Sequence, residues 1–166
     1  MFLNDQQKRL AHDIGARLTE RGETVAVAES TAGGLISAAL LCVAGASRYY
    51  AGGGVLYTLA SRTALGGVSA EDYANYRGTT PEMLATLAES MRERLASTWC
   101  IAESGLAGPT GSRLGVSAGK VTVSVAGPVV CTEVSDTGLT DREANMVEFA
   151  TRGLQMLSAA IQQADN

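Results

Sequence analysis

Apolar positions recur every three or four residues over the first part of the chain. Leu10, Ala11, Ile14 and Leu18 share one helical face, which predicts an amphipathic helix over 5–21 with Gly22 as its stop. The pattern then changes. Residues 24–28, TVAVA, form the short continuous run of a buried strand. Ser30 and Thr31 stand where a helix cap belongs, ahead of a helix from Gly33 to about Ala44. Residues 53–58 predict a second strand and 60–66 a helical turn. Thr80-Pro81 opens a further helix, with Leu84, Leu87, Ala88, Met91 and Leu95 on its buried face. Residues 99–103, WCIAE, predict a strand that breaks into a loop over 104–119. Residues 120–126 and 129–135 predict two antiparallel strands joined by Gly127-Pro128. Thr140 and Glu143 have capping-box spacing, opening a last helix through Phe149, Leu154, Leu157 and Ile161.

Helices interspersed with strands argue for an α/β fold, a three-layer α/β/α sandwich, and the closing hairpin makes its central sheet mixed. No repeat, linker or low-complexity tract divides the chain, so one domain over 1–166 is expected. The loop 104–119 is the outlier, because loops of that length inside a compact domain are usually functional or disordered.

Composition narrows the function classes. Apolar residues make up 46% of the 166 positions, enough for a core. The net charge of −4, without any basic tract, argues against nucleic-acid binding. The run LISAALLCVAGA (35–46) is too short to span a bilayer, and the charged N-terminus does not read as a signal peptide, so a cytoplasmic protein is expected. Cys42, Cys100 and Cys131 each lie in an apolar run with no CxxC, which reads as buried reduced thiols. His12 is the single histidine, so no multi-histidine metal site can form in one chain; no metal or cofactor is expected.

Three segments combine small polar residues with glycines: AESTAGG (28–34), GASRYYAGGG (45–54) and ESGLAGPTG (103–111). The first and third directly follow strands and could meet in the crevice beyond the strand ends, where open α/β sheets bind ligands. The first also ends at a helix N-terminus, so Gly33 and Gly34 are candidates to hold a phosphate or carboxylate. The middle segment offers Ser47 ahead of a glycine run, with Arg62 farther on. Neither the Walker A pattern nor GxGxxG is present.

These segments together resemble the CinA C-terminal domain family, whose characterised members are nicotinamide-nucleotide amidases. AESTAGG is similar to the family's AESCTGG. GASRYYAGGGVLYTLASR resembles G-S-S-x-x-F-x-x-G-x-V-x-Y-S-N-x-x-K, ESGLAGPTG resembles T-G-I-A-G-P-x-G, and TDREANM resembles the G-D-R segment before the last helix. The resemblance spans nearly the whole chain. It implies an oligomeric α/β/α sandwich that hydrolyses the carboxamide of nicotinamide mononucleotide, giving nicotinic acid mononucleotide and ammonia. It places the nucleophile on Ser47, a tyrosine on Tyr57, a Thr-to-Ser change on Ser104 and the base lysine on Arg62. Backbone donors at Gly105 and Gly108, phosphate contacts at Arg142, Gly33 and Gly34, and substrate contacts at Glu29, Ser30 and Thr31 follow from the same motifs.

Arg62 is the telling departure, because a guanidinium stays protonated and is a very poor general base. Substitutes are few. Lys8 lies on the first helix, Lys120 opens a strand, and Glu29 and Glu103 stand at strand ends. A solvated edge lysine and a helix-capping carboxylate are the simpler readings of Lys120 and Glu29. Family members also tend to carry a second arginine where this chain has Asn145-Met146-Val147; Arg113 in the long loop is a possible replacement anion contact. Two functions are carried forward, ahead of a third, a serine hydrolase on another substrate with Glu103 or Lys120 as its base. One is a serine-dependent amidohydrolase acting on a nucleotide. The other is a pocket that binds an anionic nucleotide-like molecule without turnover. A homo-oligomer without nucleic-acid or membrane partners is expected in either case.

Overall fold

The computed structural model describes residues 1–165. Five strands form one mixed sheet in the order β2-β1-β3-β4-β5. They are β1 (Val25–Glu29), β2 (Tyr50–Val55), β3 (Trp99–Gly105), β4 (Lys120–Ala126) and β5 (Cys131–Asp136). β1 pairs in parallel with both β2 and β3, while β3-β4 and β4-β5 are antiparallel. The five α-helices are α1 (Asp5–Arg21), α2 (Leu35–Leu41), α3 (Leu59–Ala64), α4 (Pro81–Arg94) and α5 (Arg142–Gln163). The expected α/β sandwich with a mixed sheet is therefore the observed architecture.

Strand alternation sorts the core into two layers. Val25 and Val27 of β1, with Trp99 and Ile101 of β3, pack under α1, α2 and α5 through Ile14, Leu18, Ile36, Leu40, Phe149 and Leu154. Ala26 and Ala28, with Cys100 and Ala102, face Leu84, Leu87 and Met91 of α4. The same alternation decides the site. It sends Glu29 and Glu103 to the α2 side and Ser104 to the α4 side.

Local signals fixed some boundaries and missed others. Asn4 and Gln7 close a capping box at the start of α1, and Gly22 ends it at φ 65°. Thr80 caps α4, with Pro81 in its first turn. The cap of α5 is Asp141, whose side chain accepts from Ala144 N–H, one residue past the expected Thr140. β2 begins at Tyr50, not at residue 53, because the glycines belong to the strand itself. A Cβ built at Gly53 would collide with the Val27 carbonyl of β1, so only glycine lets the two backbones lie this close. The thiols also differ from expectation. Cys100 is buried, with its pKa pushed up to about 12 by that burial, but Cys131 is half-buried and Cys42 is exposed.

Because the obstacle at Gly53 is backbone that no rotamer change can move, Gly53→Ala is expected to cost about 2 kcal/mol or more. Urea unfolding of the variant against the wild type measures it.

Candidate functional site

The C-terminal ends of β1 and β3 lie side by side, and each carries a buried glutamate. Glu103 reaches across to the segment after β1. Its Oε2 accepts from Ser30 N–H at 3.0 Å and Ala32 N–H at 2.9 Å, and its Oε1 accepts from the Thr31 hydroxyl at 2.5 Å. Thr31 Oγ1 in turn accepts from Gly105 N–H at 2.7 Å. The first and third glycine-rich segments thus do meet, and a buried carboxylate joins them. Burial pushes the Glu103 carboxyl above the ordinary carboxylate value; the Thr31 hydroxyl and the Ala32 and Ser30 amides pull it back in part, and Glu29 adds to the rise.

Glu29 corrects two expectations. Its carboxylate accepts from Gly34, Ile36 and Ser37 N–H and from the Ser37 hydroxyl, at 2.7–3.0 Å. The N-terminus of α2 therefore already holds an anion, the protein's own. Ser30 and Thr31 do not cap α2; its N-cap residue is Gly34. Gly34 N–H is committed to Glu29 and Gly33 N–H to the Ser30 carbonyl, so neither faces a ligand phosphate. Two loop donors are also spoken for, Gly105 by Thr31 and Leu106 by the Lys120 carbonyl.

On the other face of the sheet lies Arg62, 3% exposed. The α3 cap, where Thr58 accepts from Ser61 N–H, sets the helix so that Arg62 points back under the strand ends. The guanidinium donates from Nη2 to Ser104 Oγ at 2.8 Å, from Nη1 to Thr79 Oγ1 at 3.1 Å and from Nε to the Leu56 carbonyl at 3.4 Å. Thr79 Oγ1 is also 3.0 Å from both Ser104 Oγ and the Tyr76 hydroxyl. The Tyr73 hydroxyl is buried with no hydrogen-bond partner. Burial pushes its pKa up, against the nearby Arg62 charge. Thr79, Tyr76 and Tyr73 were not legible as site residues, because the segment 67–79 has neither strand nor helix periodicity.

Arg142 lies at the rim. It donates to the Gly108 carbonyl at 2.8 Å and approaches the Tyr57 hydroxyl at 3.4 Å. Among the described residues, neither Arg62 nor Arg142 has a carboxylate within ion-pair distance. Two uncompensated guanidiniums at one end of the sheet, one of them buried, make an anion the complementary guest.

Ser47 is elsewhere. It sits in a 3-10 turn (Ala46–Arg48) that precedes β2, and it is exposed. β2 runs parallel to β1, with Val25 opposite Tyr50 and Glu29 opposite Val55. Ser47 is thus at the start of the strands and Arg62, Tyr57 and Ser104 at their ends, on the order of 20 Å away at about 3.3 Å per residue. Within one chain Ser47 cannot reach Arg62, Glu103 or Lys120. Lys120 is exposed at the start of β4, level with Asp136, and Arg113 is exposed in the long loop. Lys8 is 3.7 Å from Asp5 on α1. Among the described residues, no cluster of three or more His, Cys, Asp or Glu could hold a metal, and no helix is long and apolar enough to cross a membrane.

Residues 7–161 match the family model of the CinA C-terminal domain. A CinA-like protein of Prochlorococcus marinus (strain MIT 9313) is 41% identical over 114 residues, 69% of this chain and 27% of that protein. A putative competence-damage inducible protein of Desulforamulus reducens is 38% identical over 132 residues, 79% of this chain and 32% of that protein. The chain thus spans about a quarter to a third of the length of these relatives. Among solved structures, the competence/damage inducible protein CihA of Agrobacterium tumefaciens superposes with a TM-score of 0.89 at 26% identity, over 95% of this chain and 97% of that one. A CinA superfamily protein of Enterobacter cloacae gives 0.86 at 26% identity, over 93% and 92%.

The raised pKa of Glu103 has a pH signature. Its favourable contribution is complete below the unfolded value, taken as 4.5, and is lost as pH rises through the higher folded value. The stability advantage of the wild type over Glu103→Gln is therefore expected to shrink as pH rises above 4.5. Urea midpoints of both proteins across that window measure it; an advantage that grows with pH would reverse the sign assigned to Glu103.

Proposed function

The chain belongs to the CinA C-terminal domain family, and on that premise we propose that its pocket binds an anionic, nucleotide-like small molecule instead of hydrolysing a carboxamide. One observation carries this reading. At the position where the family resemblance calls for a base, Arg62 is buried, donates three hydrogen bonds and accepts none. A guanidinium stays protonated in a protein and cannot take a serine proton.

The donor count suggests the ligand class. A guanidinium carries five N–H groups in a fixed fork. Three are used within the chain, which leaves one on each terminal nitrogen, with the Tyr73 hydroxyl close enough for Arg62 to lower its pKa by charge and hydrogen bonding. That pair suits a planar carboxylate and its two oxygens. A carboxamide would turn an NH2 toward one of these donors and bring no compensating charge. Arg142, exposed beside Gly108 and Tyr57, suits a phosphate. The acid form, nicotinic acid mononucleotide, therefore fits the rewritten pocket better than the amide that the resemblance implies as substrate.

Amide hydrolysis is the second reading. It is favoured by the hydroxyls of Tyr57 and Ser104, which lie at the strand ends with Arg62, the Tyr57 hydroxyl 3.4 Å from Arg142 and Ser104 Oγ 2.8 Å from Arg62.

Calorimetry and an ammonia assay on the same preparation separate the two. We expect nicotinic acid mononucleotide to bind at least about tenfold more tightly than nicotinamide mononucleotide, the scale of one charge-assisted hydrogen bond. Arg62→Met should erase that preference, and no ammonia should be released. Ammonia release by the wild type, lost in Ser47→Ala, would overturn the binding reading in favour of the amidase.

A further inference from the structure

Tyr73 is 6% exposed, and among the described residues its hydroxyl is the one buried side-chain polar atom without a hydrogen-bond partner. We propose, resting on the binding reading above, that Tyr73 is a ligand contact. With Arg62 and the hydroxyls of Ser104, Thr79 and Tyr76 it forms a cradle of donors that takes a carboxylate and rejects a carboxamide.

The segment between α3 and α4 sets where this hydroxyl stands. Tyr73 ends a 3-10 turn (Ala70–Tyr73) capped by Ser69, whose side chain accepts from Glu71 N–H. Its ring belongs to the core layer of Leu56, Val68, Leu84 and Leu87. It meets the ring of Tyr76 edge to face, with centroids 6.1 Å apart. The ring therefore has an apolar bed, while the hydroxyl lies close enough to Arg62 to feel its charge. Burial outweighs that charge and holds the phenol pKa above its ordinary value, so at neutral pH the oxygen carries its proton. A buried donor of this kind is unfavourable until something from outside the chain accepts from it.

The shortage of acceptors extends to the neighbours. Ser104, Thr79 and Tyr76 bring three hydroxyl protons, but two contacts join them, Thr79 to Ser104 and Thr79 to Tyr76. Whichever way those two bonds point, one proton is left over. The Ser104 and Thr79 oxygens also each accept from Arg62. The remaining Arg62 N–H groups, the Tyr73 O–H and the leftover hydroxyl proton thus share a site poor in acceptors. Its complement is a group with lone pairs only. A carboxylate has two such oxygens, and its charge offsets that of Arg62. A carboxamide adds N–H donors where donors are already in excess. Arg62 and Ser104 are buried and Tyr76 and Thr79 half-buried, so the carboxylate enters past Tyr76 and Thr79.

Calorimetry and urea unfolding of Tyr73→Phe test this, because a ligand contact moves the two in opposite directions. Affinity for nicotinic acid mononucleotide should fall by about tenfold, the scale of one hydrogen bond to a charged group, with little change for nicotinamide mononucleotide. The urea midpoint of the free variant should hold or rise, since the lost hydroxyl has no partner in the free chain. Thr79→Val should weaken the preference for the acid, and Thr79→Ser should keep it. Unchanged affinity of Tyr73→Phe for the acid, or a lower midpoint of its free form, would overturn the proposal. Formate separates the cradle from the nucleotide. A wild type that ignores both mononucleotides, yet is stabilised more by sodium formate than by equal sodium chloride, with the difference lost in Tyr73→Phe, keeps the cradle and loses the nucleotide. A wild type that binds neither mononucleotide and does not distinguish formate from chloride loses both.

Discussion

The carboxylate of Glu103 is the constraint on which the ends of β1 and β3 depend. It is fully buried at the end of the central strand, and it gathers the amides and hydroxyl of the segment after β1 onto itself. Thr31, held in this way, accepts from Gly105 and so fixes the start of the long loop. A buried charge is tolerable only when it is fully hydrogen-bonded, and here that need shapes two loops at once. Glu29 does the same for α2. The two acids are neighbours on one face of the sheet, which adds to the upward pressure on Glu103.

With these acids committed to structure, the other face is left to the cations. Arg62 sits under the strand ends among hydroxyls, with no carboxylate among the described residues to neutralise it. Glu103 and Ser104 are adjacent on β3, and the pleat sends them to opposite sides. The acids therefore cannot pair with Arg62 or serve it as a base. The proposed binding of an anion rests on this separation of acids and cations across the sheet.

Much of the fold was legible in particular residues. Gly22, Thr80-Pro81 and the apolar spacing of α1, α4 and α5 carry their boundaries locally. The pairing of the first and third glycine-rich segments was legible too, because both directly follow strands. Less visible was the use made of their polar groups. Glu29 and the α2 amides are five to eight residues apart, yet AESTAGG does not tell a cap supplied from within from a site offered to a phosphate. Thr79 and Tyr76 gave no signal, since their role depends on Ser104, 25 residues farther on from Thr79.

The sequence by itself determined the family, the element order and the departure at Arg62, because motif identity and apolar periodicity are local properties of the chain. Only the tertiary structure decided where those motifs stand. Ser47 and Tyr57 are about ten positions apart in one segment, but the strand between them is extended and parallel to β1, and it carries them to opposite ends of the sheet. Strand direction is set by pairing with β1, a partner that no local pattern names. Proximity along the chain therefore misreads the distance that matters for chemistry.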